Sequence, residues 1–260
     1  MEIRDLLVQP RSILEGVCER RAFYAYLGDG LALCRVLGKY LMYVDPRDIA
    51  LAPHLISSGY WEAWITQALL RLPVEANCAD VGANVGYYTL LLADLCGGRV
   101  HAFEPQDELA EMLRASARIN GFRDVVVTTA AVGEERGWTR IVESTRDRGG
   151  VQCLPPEDLV SSSIPIVALD DAVKEPLDFI KMDCEGYEPR VWAGMKRHLE
   201  NRPTILMEFT PAAYEDASGF LAEISSCYTL REVDNNGSVV SVKAEQILER
   251  ESFSMLWLEA

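Results

Sequence analysis

The stretch Asp80-Val81-Gly82-Ala83-Asn84-Val85-Gly86-Tyr87-Tyr88-Thr89 decides the fold of this chain. It follows the short apolar run 74–79 and precedes the apolar run 90–95, a pattern that predicts a strand, a glycine turn and a helix. Gly82 and Gly86 carry no Cβ, so the backbone can turn sharply there and approach a ligand closely. Asp80 stands at the tip of the strand, and the helix offers free N–H groups in its first turn. The sequence therefore predicts a nucleotide-type cradle at this turn.

The spacing of the glycines differs from that of dinucleotide-binding proteins. A G-x-G-x-x-G fingerprint counted from Gly82 requires glycine at the positions of Asn84 and Tyr87. The pattern present is D-x-G-x-N-x-G, and an acid beside the turn disfavours a phosphate and suits a cationic or zwitterionic ligand. S-adenosylmethionine (SAM), which combines an amino acid, a sulfonium and an adenosine, fits this pattern best. An NAD-dependent oxidoreductase is disfavoured by the missing glycines.

Short apolar runs alternate with helix-like segments from residue 74 onward. This alternation predicts an α/β fold with a doubly wound, mostly parallel sheet and an antiparallel hairpin at its C-terminal end. Strands are predicted over about 74–80, 99–103, 125–129, 137–143, 164–169, 179–182, 204–209, 228–233 and 253–258. Helices are predicted over about 61–72, 86–95, 107–119, 187–199 and 218–226.

The chain is predicted to divide near residue 70. Residues 71–260 are expected to form the ligand-binding domain, and residues 1–70 to form an N-terminal helical extension or lid. The second expectation depends on apolar residues that recur at helical spacing, namely Leu27, Leu31, Leu33, Val36, Leu37 and Leu41.

Composition excludes several classes of partner. The 260 residues, 49% of them hydrophobic, suffice for one α/β domain with a small appendage. A net charge of −15 repels nucleic acid and anionic membranes, so neither is expected as a partner. No apolar run reaches a membrane span of about 18–20 residues, and acids near the N-terminus, where a signal peptide carries basic residues, predict that no signal peptide is present. Seven cysteines without a C-x-x-C pair indicate reduced thiols in a cytoplasmic protein. An acidic surface suits a monomer, whereas exposed apolar faces of the N-terminal helices would favour a homodimer.

Four of the predicted strands end in an acid: Asp80, Glu104, Asp183 and Glu208. In an open α/β sheet a ligand binds beyond the carboxyl ends of the strands, where the strand order reverses. A single acid there would be explained by solubility, but the set together indicates a binding site.

The cofactor contacts are predicted from the positions of these acids. Glu104 follows Asp80 at close to the offset of about 20 residues at which an acid binds ribose hydroxyls. Asp80 and the turn through Gly82, Asn84 and Gly86 are expected to face the methionine end of SAM. The segment around Ala131 is expected to lie beside the adenine.

Residues 178–188 form the second informative segment. Asp183 and Glu185 are expected to lie next to the sulfonium, where Asp183 contacts the cofactor and either acid orients or deprotonates an acceptor hydroxyl. Asp183, Glu185 and Glu208 could hold a hard divalent ion, but no spacing requires a metal, so a metal is not favoured. Glu188 falls in the first turn of a helix, which favours a capping role.

The N-terminal segment supplies further candidates. His54 is the second candidate base after the two acids. Trp61 and Glu62 precede the first strand and could contact the acceptor from a lid together with Glu208, although a core tryptophan with a capping glutamate explains the pair equally well. Arg140, Arg146 and Arg148 could contact an anionic substrate, but solvated surface explains such a cluster more often.

Four motifs in order resemble the FkbM-type SAM-dependent methyltransferases. They are Asp80-Val-Gly-Ala-Asn-Val-Gly-Tyr-Tyr-Thr, Ala102-Phe-Glu-Pro105, Leu169-Asp170 and Phe179-Ile-Lys-Met-Asp-Cys-Glu-Gly-Tyr-Glu188. The resemblance extends over about 59–209 and implies a class I methyltransferase, with a seven-stranded, Rossmann-like sheet. It implies SAM as methyl donor, S-adenosylhomocysteine (SAH) as product and Glu104 as the ribose ligand. It also implies O-methylation of a small-molecule hydroxyl, on a sugar or a natural product.

Two alternatives stay open at this point. One is an N-methyltransferase that acts on an amine or a peptide side chain, since the acceptor pocket is built from divergent parts of the chain. The other is a catalytically silent SAM-binding subunit, which the intact set of Asp80, Gly82, Gly86 and Glu104 disfavours.

Overall fold

The computed structural model describes residues 2–142, 152–154 and 163–259. Its helices are α1 (Ile3–Leu7), α2 (Arg11–Arg21), α3 (Ala52–Ser57), α4 (Ala63–Ala68), α5 (Tyr87–Cys96), α6 (Asp107–Ile119), α7 (Leu169–Ala172), α8 (Glu188–Ala193), α9 (Lys196–Glu200), α10 (Ala217–Cys227) and α11 (Ala244–Leu248). Its strands are β1 (Tyr24–Gly28), β2 (Leu31–Val36), β3 (Tyr40–Val44), β4 (Cys78–Val81), β5 (Val100–Phe103), β6 (Val125–Thr128), β7 (Ala131–Val132), β8 (Gly137–Val142), β9 (Gln152–Leu154), β10 (Ile164–Val167), β11 (Phe179–Met182), β12 (Thr204–Phe209), β13 (Arg231–Val233), β14 (Val239–Ser241) and β15 (Ser254–Leu258). Single 3-10 turns span Leu69–Arg71 and Pro211–Ala213.

The central sheet has the strand order β14-β13-β15-β12-β11-β4-β5-β6. The five strands from β12 to β6 are parallel, whereas β15 is antiparallel to both of its neighbours. This confirms the predicted doubly wound fold with its antiparallel C-terminal end. The sheet has one strand more than expected, because β14 pairs with β13 at the edge.

The order of the strands fixes where a ligand can bind. After β4 the chain adds β5 and β6 on one side, and later adds β11 and β12 on the other side. The order therefore reverses between β4 and β11, and a crevice opens at the carboxyl ends of these two strands. A second sheet, with the order β7-β10-β8-β9, contributes the start of β7 beside this crevice.

The predicted helix over 187–199 is interrupted. It forms α8 and α9, which are separated at Gly194. A Cβ at Gly194 would lie 1.9 Å from the carbonyl oxygen of Gly133, so the two backbones pass too closely for a side chain. This long-range contact cannot be inferred from local apolar spacing.

The N-terminal segment differs from its predicted helical form. The residues from Leu27 to Leu41 form strands β1 to β3 of an antiparallel sheet, so the expectation of a helix there is wrong. Gly28 and Gly30 have φ angles of +100° and +74°, which a right-handed helix does not permit. Along β2 the side chains alternate between partly exposed and buried, which is the period of a strand.

The N-terminal segment packs directly on the central sheet. Buried residues of α1, α2, β2 and β3 belong to the same hydrophobic cluster as those of α5 and one face of the sheet. The Arg4 guanidinium donates hydrogen bonds to three carbonyl oxygens, those of Leu70 (3.4 Å), Leu72 (3.0 Å) and Leu95 (2.9 Å). The division of the chain near residue 70 stays a prediction, but the two parts share a core.

The cysteines whose side chains the structure describes are free thiols. They are Cys18, Cys34, Cys78, Cys96, Cys184 and Cys227. Among the described helices, none is long and apolar enough to cross a membrane.

Candidate active site

A cleft of about 610 Å³ opens at the carboxyl ends of β4, β5 and β11. The strand tips and the glycine turn form its floor, and the segment 50–64 forms the facing wall. Most of the residues that the sequence singled out line this cleft: His54, Trp61, Glu62, Gly82, Asn84, Glu104, Ala131, Asp183, Glu185 and Glu208. Asp80 and Gly86 do not line it. The fold therefore collects residues from distant parts of the sequence into one place.

The two glycines of the turn serve different contacts. Gly82 has a φ angle of +77°, and a Cβ there would lie 1.9 Å from the carbonyl oxygen of Asp183. Its missing side chain therefore lets the tips of β4 and β11 meet. A Cβ at Gly86 would lie 1.9 Å from Cδ1 of Leu113, so the second glycine makes room for packing of α6. The structure thus assigns Gly86 to packing, where the sequence suggested room for a ligand.

Glu104 joins the glycine turn to the start of α6. One carboxylate oxygen accepts a hydrogen bond from the Asn84 N–H at 2.9 Å, and the other accepts one from the Gln106 N–H at 2.9 Å. The side chain is buried, which raises its pKa to about 7 even though both N–H groups lower it. A carboxylate has lone pairs for further hydrogen bonds, so Glu104 can still accept from vicinal hydroxyls in the cleft.

Asp80 lies beneath the floor of the cleft. It is completely buried, and its Oδ2 accepts a hydrogen bond from Thr89 Oγ1 at 2.6 Å. Its Oδ1 has no hydrogen-bond partner among the described residues and lies 3.9 Å from Nζ of Lys181. The expected contact between Asp80 and a cofactor is therefore not supported by its position. Asp80 instead holds the first turn of α5 and faces a buried cation.

Lys181 is the main feature of the site that the sequence did not reveal. Its side chain is 3% exposed, and its Nζ donates a hydrogen bond to Asp183 Oδ2 at 3.1 Å. The ammonium also lies 4.9 Å from the centre of the Tyr88 ring, within the range of a cation–π interaction. Burial lowers the pKa of Lys181, but Asp183 and Asp80 raise it more, so the pKa lies above its ordinary value. The only available signal was a lysine inside the apolar strand Phe-Ile-Lys-Met.

Three acids converge at the tips of β11 and β12. Asp183, Glu185 and Glu208 all line the cleft. Burial raises the pKa of Glu208 to about 8, with further contributions from Asp183, Glu185 and Glu188. Such mutual repulsion makes this end of the cleft favourable for a positively charged group.

Glu188 has a local structural role. One of its carboxylate oxygens accepts from the Cys184 N–H at 2.7 Å, and the other accepts from the Gly186 N–H and from the Tyr214 hydroxyl, both at 3.0 Å. It thereby fixes the turn that carries Asp183 and Glu185.

The N-terminal wall presents aromatic rings and one acid. The rings of His54 and Trp61 meet edge to face, with centroids 4.9 Å apart. Glu62 has a φ angle of +38° and accepts a hydrogen bond from the Tyr88 hydroxyl at 2.6 Å. Burial raises the pKa of Glu62. A non-glycine residue with positive φ is strained, and such strain is concentrated at functional sites.

The remaining candidates are placed as follows. Ala131 lies at the start of β7 and lines the cleft beside Glu104. Arg146 and Arg148 lie outside the described residues. Within the described ranges, no group of three or more His, Cys, Asp or Glu side chains could hold a metal ion.

Comparison with known proteins shows which family this chain matches. The methyltransferase FkbM domain matches residues 80–232, which is more than half of the chain. The matched span includes the glycine turn, Glu104, Asp183 and Glu208, whereas the wall at 50–64 lies outside it.

Solved structures and one curated protein are similar to parts of this chain. Methyltransferase FkbM from Methylobacillus flagellatus KT has a TM-score of 0.51 and 20% identity, covering 73% of this chain and 45% of that one. Precorrin-6y C5,15-methyltransferase from Geobacter metallireducens GS-15 has a TM-score of 0.46 and 16% identity, covering 81% of this chain and 93% of that one. Protein-L-isoaspartate O-methyltransferase from Aeropyrum pernix is 45% identical over 58 residues, which is 22% of either chain. This chain thus covers less than half of the FkbM structure and about a fifth of the curated relative.

Proposed function

Because this chain belongs to the FkbM methyltransferase family, we propose that it transfers a methyl group from SAM to a hydroxyl of a small molecule, such as a sugar or a natural product. The observation that carries this proposal is the cleft itself. It brings together the close-packed glycine turn after β4, the buried carboxylate of Glu104 after β5, and the acids at the tips of β11 and β12. Each of these features suits one part of SAM.

The residues of the floor fit the cofactor. Glu104 has the position and the free lone pairs to bind the ribose hydroxyls, and the backbone at Ala131 can contact the adenine. The turn at Gly82 and Asn84, together with Asp183, would hold the methionine end, whose amino group carries a positive charge. SAM supplies a methyl group on a positively charged sulfur, which is a reactive electrophile. The acids at the tips of β11 and β12 favour that charge.

The acceptor is expected to lie against the N-terminal wall. Trp61 offers a flat apolar surface there, while Glu62 and Glu208 offer hydrogen-bond acceptors to hydroxyl groups. An alcohol is a poor nucleophile at neutral pH, so a base is needed. Asp183 or Glu185 is the first candidate for this base and His54 is the second. Asp183 forms an ion pair with Lys181, in which Nζ and Oδ2 lie 3.1 Å apart.

Transfer to oxygen is favoured over transfer to nitrogen by one observation: the curated relative is itself named as an O-methyltransferase. A metal is not part of the proposal. The net charge of −15 supports the further proposals that neither nucleic acid nor an anionic membrane is a partner. We also propose a cytoplasmic location and a monomeric or homodimeric state.

Calorimetric titration of the purified protein with SAM, SAH and NAD tests the donor. We expect micromolar binding of SAM and SAH, and no binding of NAD. Loss of the SAM signal would contradict the proposal. A panel of sugars, phenols and amines, assayed for SAH release and for the gain of one methyl group by mass spectrometry, then tests the acceptor. Methylation of the amines without the alcohols would establish the N-methyltransferase alternative.

A further inference from the structure

The buried ammonium of Lys181 lies near two acids, and its hydrogen bond goes to the one that lines the cleft. The register between β4 and β11 places Lys181 directly beside Asp80, on the same face of the sheet. The ammonium nevertheless donates its hydrogen bond to Asp183, at 3.1 Å, and not to Asp80, at 3.9 Å. The ammonium therefore lies closer to Asp183, which lines the cleft, than to Asp80, the residue paired with Lys181 in the sheet.

The difference in exposure of the two acids strengthens this point. Asp80 is completely buried, whereas the Asp183 side chain is 31% exposed and lines the cleft. A partly exposed carboxylate can rotate about its side-chain bonds when nothing holds it. A fixed cation at one of its oxygens restricts it to one orientation, and its other oxygen is then left for a ligand.

The Tyr88 ring fixes the ammonium from a third side. Its centre lies 4.9 Å from Nζ of Lys181, and its hydroxyl donates to Glu62 on the opposite wall. The lysine side chain is thus enclosed by Asp80, Asp183 and an aromatic face.

We propose that Lys181 is a positioning residue that holds the Asp183 carboxylate in the orientation in which it binds the methionine end of SAM. The inference rests on the proposed function, since it concerns the same cofactor. Lys181 itself need not touch the cofactor, because its effect passes through Asp183.

Two variants separate positioning from folding. Lys181→Met leaves Asp80 as an unpaired buried acid, so we expect a melting temperature lower by roughly 10 °C. We also expect the Kd for SAM to rise by about tenfold or more. In the double variant D80N/K181M the buried acid is also neutral. We expect it to recover most of the thermal stability while its Kd for SAM stays high. If Lys181→Met does not fold, the Kd of D80N/K181M for SAM still tests the positioning role.

A mutant cycle with Asp183→Asn tests whether Lys181 acts through Asp183. If it does, Lys181→Met combined with Asp183→Asn should bind SAM about as weakly as the weaker single variant, and the two effects should not multiply. Lys174→Met, which removes an exposed lysine whose side chain is 71% accessible, is the matched control and should leave both quantities unchanged.

The outcomes are distinguishable. Recovery of wild-type SAM affinity in D80N/K181M would overturn the proposal, because Lys181 would then only balance the charge of Asp80. Full multiplication of the two effects in the mutant cycle would also overturn it. If the wild-type protein does not bind SAM in the same titration, that result contradicts the proposed function itself. The positioning role of Lys181, which depends on SAM binding, is then contradicted as well.

Discussion

Glu104 connects two loops that come from different strands. Its carboxylate accepts one hydrogen bond from the turn after β4 and one from the segment before α6. Its pKa, about 7, shows that burial outweighs these two donors. A carboxylate in this state gains from additional donors, which the two hydroxyls of a ribose would supply. Glu104 therefore orders the turn, and its role as the ribose ligand is part of the proposed function.

We expect Glu104→Ala to weaken SAM binding by about tenfold to a hundredfold, because hydrogen bonds to a charged group contribute roughly 1.5–3 kcal/mol. Calorimetric titration with SAM measures the change. Glu135→Ala, which changes an exposed acid outside the cleft, is the control and should bind as the wild type does. An unaltered Kd in Glu104→Ala would refute the ribose assignment.

Gly82 tests the close approach of the two strand tips. In Gly82→Ala the new Cβ would lie 1.9 Å from a backbone oxygen, which cannot move aside as a side chain could. We expect a large loss of stability and loss of SAM binding. Gly97→Ala is the matched control, since Gly97 also has positive φ but has open space around its Cβ. It should cost only the conformational strain of about 1–2 kcal/mol. Equal melting temperatures for the two variants would contradict this account.

At the residue scale the sequence predicts where the acids lie, but not which way they face. Parallel strands end at one edge of a sheet, so the convergence of Glu104, Asp183 and Glu208 follows from chain order. The inward orientation of Asp80 depends on the register between β4 and β11, which pairs it with Lys181. Register across strands about a hundred residues apart is a tertiary property, and this is why the buried ion pair was missed.

At the scale of elements, the short helix α1 buries Ile3, Leu6 and Leu7 in the shared core, and the Arg4 side chain adds polar contacts to the rest of the fold. Arg4 bonds to carbonyls at the end of the Leu69–Arg71 turn and at the end of α5. Carbonyl groups at helix ends lack partners within the helix, and a cation there also complements the helix dipole. Arg4 therefore supports the packing of the wall-forming segment on the sheet.

We expect Arg4→Met to lower the free energy of unfolding by about 2 kcal/mol, and the melting temperature by roughly 4–8 °C, because three carbonyl oxygens lose a charged donor. Thermal unfolding followed by circular dichroism measures the change. Arg71→Met removes an exposed arginine of the neighbouring turn and serves as the control. A shift of the same size in both variants would show that Arg4 has no special contribution.

Elements of the central sheet were predictable, whereas strands β1 to β3 of the N-terminal segment were not. The strands β11 and β12 and the helix α6 have the predicted bounds because each is a compact apolar or strongly amphipathic run. In β1 to β3, leucines fall at spacings that fit a helix as well as a strand. The glycines Gly28 and Gly30 decide between them, since both adopt positive φ.

At the scale of the whole molecule, the cleft concentrates negative charge in a protein that is already acidic. Two of its carboxyl groups, Glu104 and Glu208, have pKa values of about 7 and about 8, well above the ordinary 4.5. Between these values the folded protein keeps protons that the unfolded chain has released. The free energy of unfolding therefore falls as pH rises through this range.

We expect the free energy of unfolding of the ligand-free protein to fall by several kcal/mol between pH 5 and pH 8 through these groups. Urea unfolding at several pH values measures this slope. The double variant E104Q/E208Q should have a flatter profile, because its side chains cannot ionise. E134Q/E135Q, which changes two exposed acids, should keep the wild-type slope. Identical slopes in all three proteins would show that the two groups do not titrate differently on folding.

The position of β15 has a consequence for biosynthesis. It is the last strand of the central sheet in chain order, yet it lies between β12 and β13. Until the segment that begins at Ser254 has been translated, one edge of β12 is unpaired, and the β13–β14 hairpin has no neighbouring strand in the sheet. An apolar strand with an open edge is a template for association between nascent chains. We therefore expect nascent chains to be most prone to association in the interval between the synthesis of β12 and the pairing of β15 with it.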